Sequence, residues 1–408
     1  MTTLYEADAV GRRTGTTDTR RVQFVIKTSK LCNLRCRYCY ELPELGKREA
    51  ITLSQLRIMY RHIAEYYDQY SDPVGIEFDW HGGEPLLIDP DFYWATFDDQ
   101  TNIFSEDTVS VTNVVQTNLL VLNERLIKLL LEGFDGVGIS VDLFGGLRVR
   151  SSGIDSQETV LSNMDQLRKA GIDFGCITVL TKQNIHHASR IFRFFEKAGI
   201  SFRLLPVFRG ATESQNEAYQ LSEKDVLDSL KEFFEHWVNC TKPIIVEPLF
   251  TYTEGILAAY TSDRRNYYDK SSWESIYIVN TDGNMYSYAD LYNPTYCQGN
   301  IFVQSLSELI YGPGHERAIR AAAARMDSIC TSCRHYGRAC SGYPVAEESP
   351  SYGQAAGEGI IECVKVHGIL DYIERRLHEL GVIDPIRGTI NQPKNYRPRF
   401  MPALTMAS

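Results

Sequence analysis

The sequence predicts an α/β protein built on a parallel sheet. Strand-length apolar, β-branched runs alternate six times with segments of helical periodicity, and polar clusters follow several of the runs. Six such units suit an open doubly wound sheet and a partial barrel equally well on periodicity alone. In either architecture ligands sit at the carboxyl ends of the strands.

Residues 1–21 are polar and are expected to form a flexible arm, and residues 22–27 read as the first strand. Thr52 with Gln55 makes a capping box, and Leu56, Met59, Tyr60, Ile63 and Tyr67 recur at helical spacing, so the first helix is expected over 53–70. Strands follow at 75–80, 109–116, 136–141, 174–179 and 202–207. Helices are expected at 90–100, 124–134, 157–170 and 185–198, with a last one capped by Ser222. Past about residue 242 the alternation stops. A hairpin is expected over 274–290, turning at Thr281-Asp282-Gly283-Asn284, and four cysteines crowd into 330–363. A helix over 364–380 and a proline-containing extended tail close the chain. The expected units are therefore the arm 1–21, an α/β unit 22–241, a small metal-stapled domain 242–381 and the tail 382–408.

With 408 residues and 43% hydrophobic content the chain can bury a large core. Its net charge of −10, with scattered basic residues, lacks the footprint of a nucleic-acid binder. No run approaches the roughly 18–20 apolar residues of a membrane helix, and residues 1–21 hold no apolar signal core, so no membrane contact and a cytoplasmic location are expected. Ten cysteines in such a compartment argue for metal or redox chemistry rather than disulfides.

Cys32, Cys36 and Cys39 stand at C-x3-C-x2-C spacing. Three thiolates on one short loop can hold three irons of a 4Fe–4S cluster and leave the fourth open to a small chelator with an amine and a carboxylate. A zinc loop or three unrelated buried thiols would also fit the cysteines alone. After the second strand comes His81-Gly82-Gly83-Glu84-Pro85, where two glycines permit close backbone approach. By itself this is an ordinary strand-to-helix turn. The third and fourth strands end in Gln116-Thr117-Asn118 and Ser140-Val141-Asp142. Further on, Cys330-x2-Cys333-x6-Cys340 and Cys363 offer four thiolates, enough for one cluster or for structural zinc. Cys176 and Cys240 read as inert core thiols, and the adjacent His186 and His187 point apart on a helix.

The first cysteine loop, with aromatic Tyr38 before its last cysteine, resembles that of the radical S-adenosylmethionine (radical SAM) enzymes, as does the Gly-Gly-Glu-Pro stretch. The resemblance implies a partial (β/α)6 TIM-like barrel. It implies that Cys32, Cys36 and Cys39 hold a 4Fe–4S cluster and that S-adenosyl-L-methionine is bound near Tyr38, Gly82, Gly83, Glu84, Pro85, Asn118, Ser140 and Asp142. Arg148 is expected near the cofactor carboxylate, with Arg150 as the other match. The second set resembles the SPASM (twitch-like) iron–sulfur domain, as does Cys297-Gln298-Gly299-Asn300-Ile301. It implies one auxiliary 4Fe–4S cluster on Cys330, Cys333, Cys340 and Cys363, with Cys297 replacing one of these or staying free. Fuller versions of that domain carry cysteines where this chain has Tyr288 and Tyr343. In anaerobic sulfatase-maturating enzymes the aspartate proposed as a base occupies the place of Ala289. Asp290, one residue on, is the candidate catalytic base here, though in a strand that shift turns the side chain to the other face.

The resemblance implies an enzyme that cleaves S-adenosylmethionine reductively, fed by a flavodoxin or ferredoxin-type donor. The expected substrate is a ribosomally made precursor peptide and the expected product an oxidative side-chain cross-link, carbon–carbon or thioether. Formylglycine formation in a sulfatase, dehydrogenation or epimerisation, and a non-enzymatic iron–sulfur electron carrier are the other readings.

Overall fold

A computed structural model describes residues 20–70, 72–105, 107–207, 218–263, 265–271, 276–287, 294–342, 363–384, 386 and 388–390. Most of the expected arm, most of the tail, and Tyr288, Ala289, Asp290 and Tyr343 lie outside them.

All six expected strand–helix alternations are present. They run β1 (Arg20–Lys27), α1 (Leu53–Tyr67), β2 (Val74–His81), α2 (Pro90–Ile103), β3 (Val109–Thr117), α3 (Glu124–Glu132), β4 (Gly136–Ser140), α4 (Gln157–Lys169), β5 (Gly175–Leu180), α5 (Ala188–Ala198), β6 (Phe202–Pro206) and α6 (Glu223–Val238). The helices begin where local chemistry predicts. Thr52 and Gln55 form the capping box of α1, Asp89 caps α2 ahead of Pro90, Asn123 caps α3, and Ser222 with Asp225 boxes the start of α6.

The parallel strands β1 to β6 lie side by side in chain order. A doubly wound sheet reverses its strand order at a switch point, and this one does not, so the partial barrel is the architecture adopted. It is open. The sheet runs on past β6 to the short β7 (Val246–Glu247), and beyond β1 to β8 (Ile276–Val279), β9 (Asn284–Ser287) and β10 (Gly299–Asn300). Strand β8 is parallel to β1 and forms the expected hairpin with β9. One continuous sheet thus crosses the boundary expected at 241/242. Sequence periodicity missed α7 (Leu249–Thr261), α8 (Leu306–Ile310) and α9 (Pro313–Arg325), because they do not alternate with long strands. The closing helix α10 (Val364–Glu379) falls where expected.

The outer face of the sheet makes the main core. Phe24, Ile26, Ile76, Phe78 and Trp80 are buried against Tyr60, Ile63 and Tyr93 of α1 and α2. Truncating any of the aromatics to Ala would cost about 3–5 kcal/mol. The inner face is divided. Val25, Ile276, Ile278 and Tyr268 form one apolar cluster, and Tyr38, Leu147, Val179 and Val207 another. Among the described residues no helix is long and apolar enough to cross a membrane.

Candidate active site at the strand tips

The chain leaving β1 and the chain leaving β2 dock on one another, and glycine makes this possible. Gly82 has φ +135°, and a Cβ there would stand 2.5 Å from the Ser29 carbonyl oxygen; at Gly83 it would stand 2.4 Å from that of Leu31. In that contact Gly83 N donates to Ser29 O at 2.7 Å and Glu84 N to Leu31 O at 2.9 Å, immediately before Cys32. The buried Glu84 carboxylate accepts from Thr117 Oγ1 (2.6 Å), Asn118 N (2.8 Å) and Leu86 N (3.1 Å). Burial pushes this carboxyl up, and those three donors pull it back. Glu84 therefore braces the tip of β3 against the turn.

The cysteine loop is held from the other side by the segment after β4. Arg35 N donates to Val149 O (2.7 Å) and Arg37 N to Leu147 O (2.9 Å). Below them, Asp142 spends both carboxylate oxygens. Oδ2 accepts from Arg148 Nε at 2.8 Å and from the Tyr38 hydroxyl, and Oδ1 from Val179 N at 2.7 Å. Arg148, not Arg150, is the arginine at the site; Arg150 turns to Thr159 Oγ1. Polar hydrogens are aimed at sulfur. Leu34 N lies 3.4 Å and Asn118 Nδ2 3.8 Å from Cys32 Sγ, and Arg148 Nη1 lies 3.9 Å from Cys36 Sγ. Such donors favour thiolate, the form an iron ligand takes, and none of the three cysteines is in a disulfide. The donor set fits a cluster on Cys32, Cys36 and Cys39. Burial pushes the Cys32 and Cys39 thiols up to about 12, so ligation displaces a proton from each. Ser140, on the inner face, accepts from Gln116 Nε2 at 2.8 Å.

The second cysteine set is built from short-range turns. Cys330 ends a π-helical turn (Met326–Cys330), Cys333 N donates to Cys330 O at 2.9 Å, and Cys340 N to His335 O at 3.0 Å. Gly342 N lies 3.4 Å from Cys340 Sγ, and a Cβ on Gly342 would lie 3.5 Å from Cys330 Sγ. Cys363 stands at the N-terminus of α10, and a polar latch ties that helix to the loop. Asp371 accepts from Arg334 Nε at 2.9 Å and lies 2.8 Å from His335 Nε2. None of these thiols is in a disulfide, and four thiolates of this kind are the donor set an auxiliary cluster takes. Cys297 turns instead toward the Gly299 carbonyl at 3.9 Å. Cys176 and Cys240 are buried in the main core, as expected.

Residues 26–195 match the model of the radical SAM superfamily. The chain carries a radical SAM domain. It is homologous to anaerobic sulfatase-maturating enzymes. A cysteine-type enzyme of Clostridium novyi is 25% identical over 217 residues, a match spanning 51% of this chain and little more than half, 57%, of that protein. A serine-type enzyme of Bacteroides thetaiotaomicron is 23% identical over 324 residues, 74% of this chain and 77% of that one. Among solved structures, anSMEcpe with bound AdoMet and the Cp18Cys peptide has a TM-score of 0.68 at 19% identity, covering 88% of this chain and 97% of its own. Streptococcus suis SuiB bound to S-adenosylmethionine has a TM-score of 0.53 at 16% identity, covering 80% and 74%. The superfamily's cofactors are S-adenosylmethionine and a 4Fe–4S cluster.

The radical SAM domain also holds residues that sequence reasoning passed over. Lys27, at the end of β1, pairs with Glu41 at 2.8 Å, donates to the Tyr40 hydroxyl at 2.9 Å and stands 3.3 Å from His81 Nδ1. It thereby ties the strand to the chain just after Cys39. Burial, then the Lys27 charge, holds His81 well below its usual range, so its ring is neutral. The available signal was parity: Gln23, Val25 and Lys27 alternate with the core residues of β1, as Glu77, Asp79 and His81 do with those of β2.

Proposed function

We propose that this chain oxidises a side chain of a peptide or protein substrate, using S-adenosylmethionine and a cluster held by Cys32, Cys36 and Cys39, and that the product is a carbon–carbon or thioether cross-link. The observation that carries the reading is the convergence of Asn118 and Arg148 on the sulfurs of Cys32 and Cys36 at the strand tips. When bound, the cluster and S-adenosylmethionine supply a 5'-deoxyadenosyl radical that removes a hydrogen atom, and an auxiliary cluster on Cys330, Cys333, Cys340 and Cys363 offers a sink for the remaining electron. The chain's own work is positioning. Asp142 fixes Tyr38 and Arg148, Glu84 fixes the Gly-Gly-Glu-Pro turn, and Asn118 and Ser140 face the cofactor from the ends of β3 and β4. A flavodoxin or ferredoxin-type protein is the electron donor.

A peptide substrate is supported by SuiB, which was solved bound to its precursor peptide SuiA and shares the fold. A second reading, formylglycine formation, is favoured equally by the sulfatase-maturing relatives. Asp290 is the candidate base, one residue past the place of the base proposed for the sulfatase-maturating enzymes, which here is Ala289. The test is anaerobic co-expression with a short peptide encoded beside the gene, and separately with a sulfatase peptide, followed by intact mass and fragmentation. A cross-link loses two hydrogens and resists an aldehyde-trapping hydrazine. Formylglycine made from serine also loses two hydrogens but reacts with it. Both peptides emerging unchanged from an active preparation would sink both readings.

A further inference from the structure

The inner face of the sheet carries a polar strip between its two apolar clusters, and one member of that strip is uncommitted. Gln23 Nε2 donates to Glu77 at 2.6 Å, Gln116 to Ser140 at 2.8 Å, and Lys27 is engaged by Glu41, Tyr40 and His81. Among the described residues Asp79 accepts no hydrogen bond and forms no ion pair. It is half-buried, with Lys27 as its charged neighbour. Burial pushes its carboxyl up to about 7, and Glu77 beside it is pushed up to about 7 as well, by burial and then by the Asp79 charge. A half-buried carboxylate on the inner face that no donor among the described residues engages is accessible to a ligand and suited to meeting a cation.

We propose that Asp79 is the floor of a substrate subsite that accepts a lysyl side chain, its ammonium on the carboxylate and its aliphatic stem along the apolar cluster of Val25, Ile276 and Ile278. This rests on the reading of the chain as a peptide-modifying enzyme and adds a substrate preference to it. Three observations support the class of ligand. Asp79 lies two residues below the strand tip at His81, about 7 Å down, a depth that a four-carbon stem spans. The strip's uncommitted charge is negative, since Lys27 is already neutralised by Glu41. The neighbouring wall, Val25, which pairs with Asp79 across β1 and β2, together with Ile276 and Ile278, is aliphatic and would cover methylenes.

The test uses the full chain, anaerobically purified with its clusters and S-adenosylmethionine, and three acetylated, amidated pentapeptides Ala-Ala-X-Ala-Ala with X as lysine, norleucine or glutamate. Binding is read by saturation-transfer NMR. The lysine peptide is expected to bind at least about five-fold more tightly than the norleucine peptide, and Asp79→Asn, which keeps shape and removes charge, is expected to erase that preference. Circular dichroism matching the parent shows that the variant is folded. A preference that survives Asp79→Asn, or none in the parent, overturns the assignment. So does an equal loss of S-adenosylmethionine affinity in the variant, since Asp79 would then serve the cofactor's own ammonium. Failure of the parent to cleave S-adenosylmethionine would refute the enzymatic reading separately, leaving the peptide preference to be judged on its own binding data.

Discussion

The two cysteine loops hold their sulfurs by opposite means. The first, at 32–39, has little structure of its own and is clamped from outside by groups far away in sequence: Gly83 and Glu84 after β2, Asn118 after β3, Asp142 and Arg148 after β4. The second, at 330–342, folds on itself in tight turns and is tied by a half-exposed latch to α10, the helix that starts at Cys363. A loop built by the barrel can be tuned by the barrel. One that is self-contained answers mainly to its own turns and to one helix.

The comparison can be broken most easily at Asp142. Its side chain is fully buried and that of Arg148 is 13% exposed, so Asp142→Ala strands a buried guanidinium and unties Tyr38. A loss of about 3–5 kcal/mol is expected in denaturant unfolding, with disordering of the first loop. Next is Gly83→Ala, whose methyl would press on the Leu31 carbonyl. About 1–3 kcal/mol and a shift of the Cys32 backbone are expected, visible as slower iron incorporation at the first site with the second unaffected. On the other loop, Cys330→Ala should remove about half of the iron while sparing S-adenosylmethionine cleavage. If cleavage were lost equally, the second loop would be supporting the first. The smallest effect belongs to Asp371→Asn. The latch is partly exposed, so about 0.2–1 kcal/mol is expected, read as an altered spectroscopic signature of the second cluster alone.

Much of this was legible before any coordinates. Alternating strands and helices, their caps and both cysteine sets are local patterns, and local patterns survive in sequence. The braces are not local. Tyr38 and Asp142 are 104 residues apart, and nothing in either segment announces the other. Glu84 was legible as part of a motif but not as the anchor of Thr117 and Asn118. The partial barrel could not be told from a doubly wound sheet by periodicity, because strand order is set by which edges meet. For the same reason the pairing of β8 with β1, across some 250 residues of chain, left no trace. Asp79 was hidden differently: its alternation was visible, but its lack of a partner is a property of the assembled inner face.

The most direct measurement is 5'-deoxyadenosine formation from S-adenosylmethionine under anaerobic reduction, comparing the iron-loaded parent with Cys32→Ala. The account predicts steady formation by the parent and none above background in the variant. Formation at the parent rate by Cys32→Ala would contradict it.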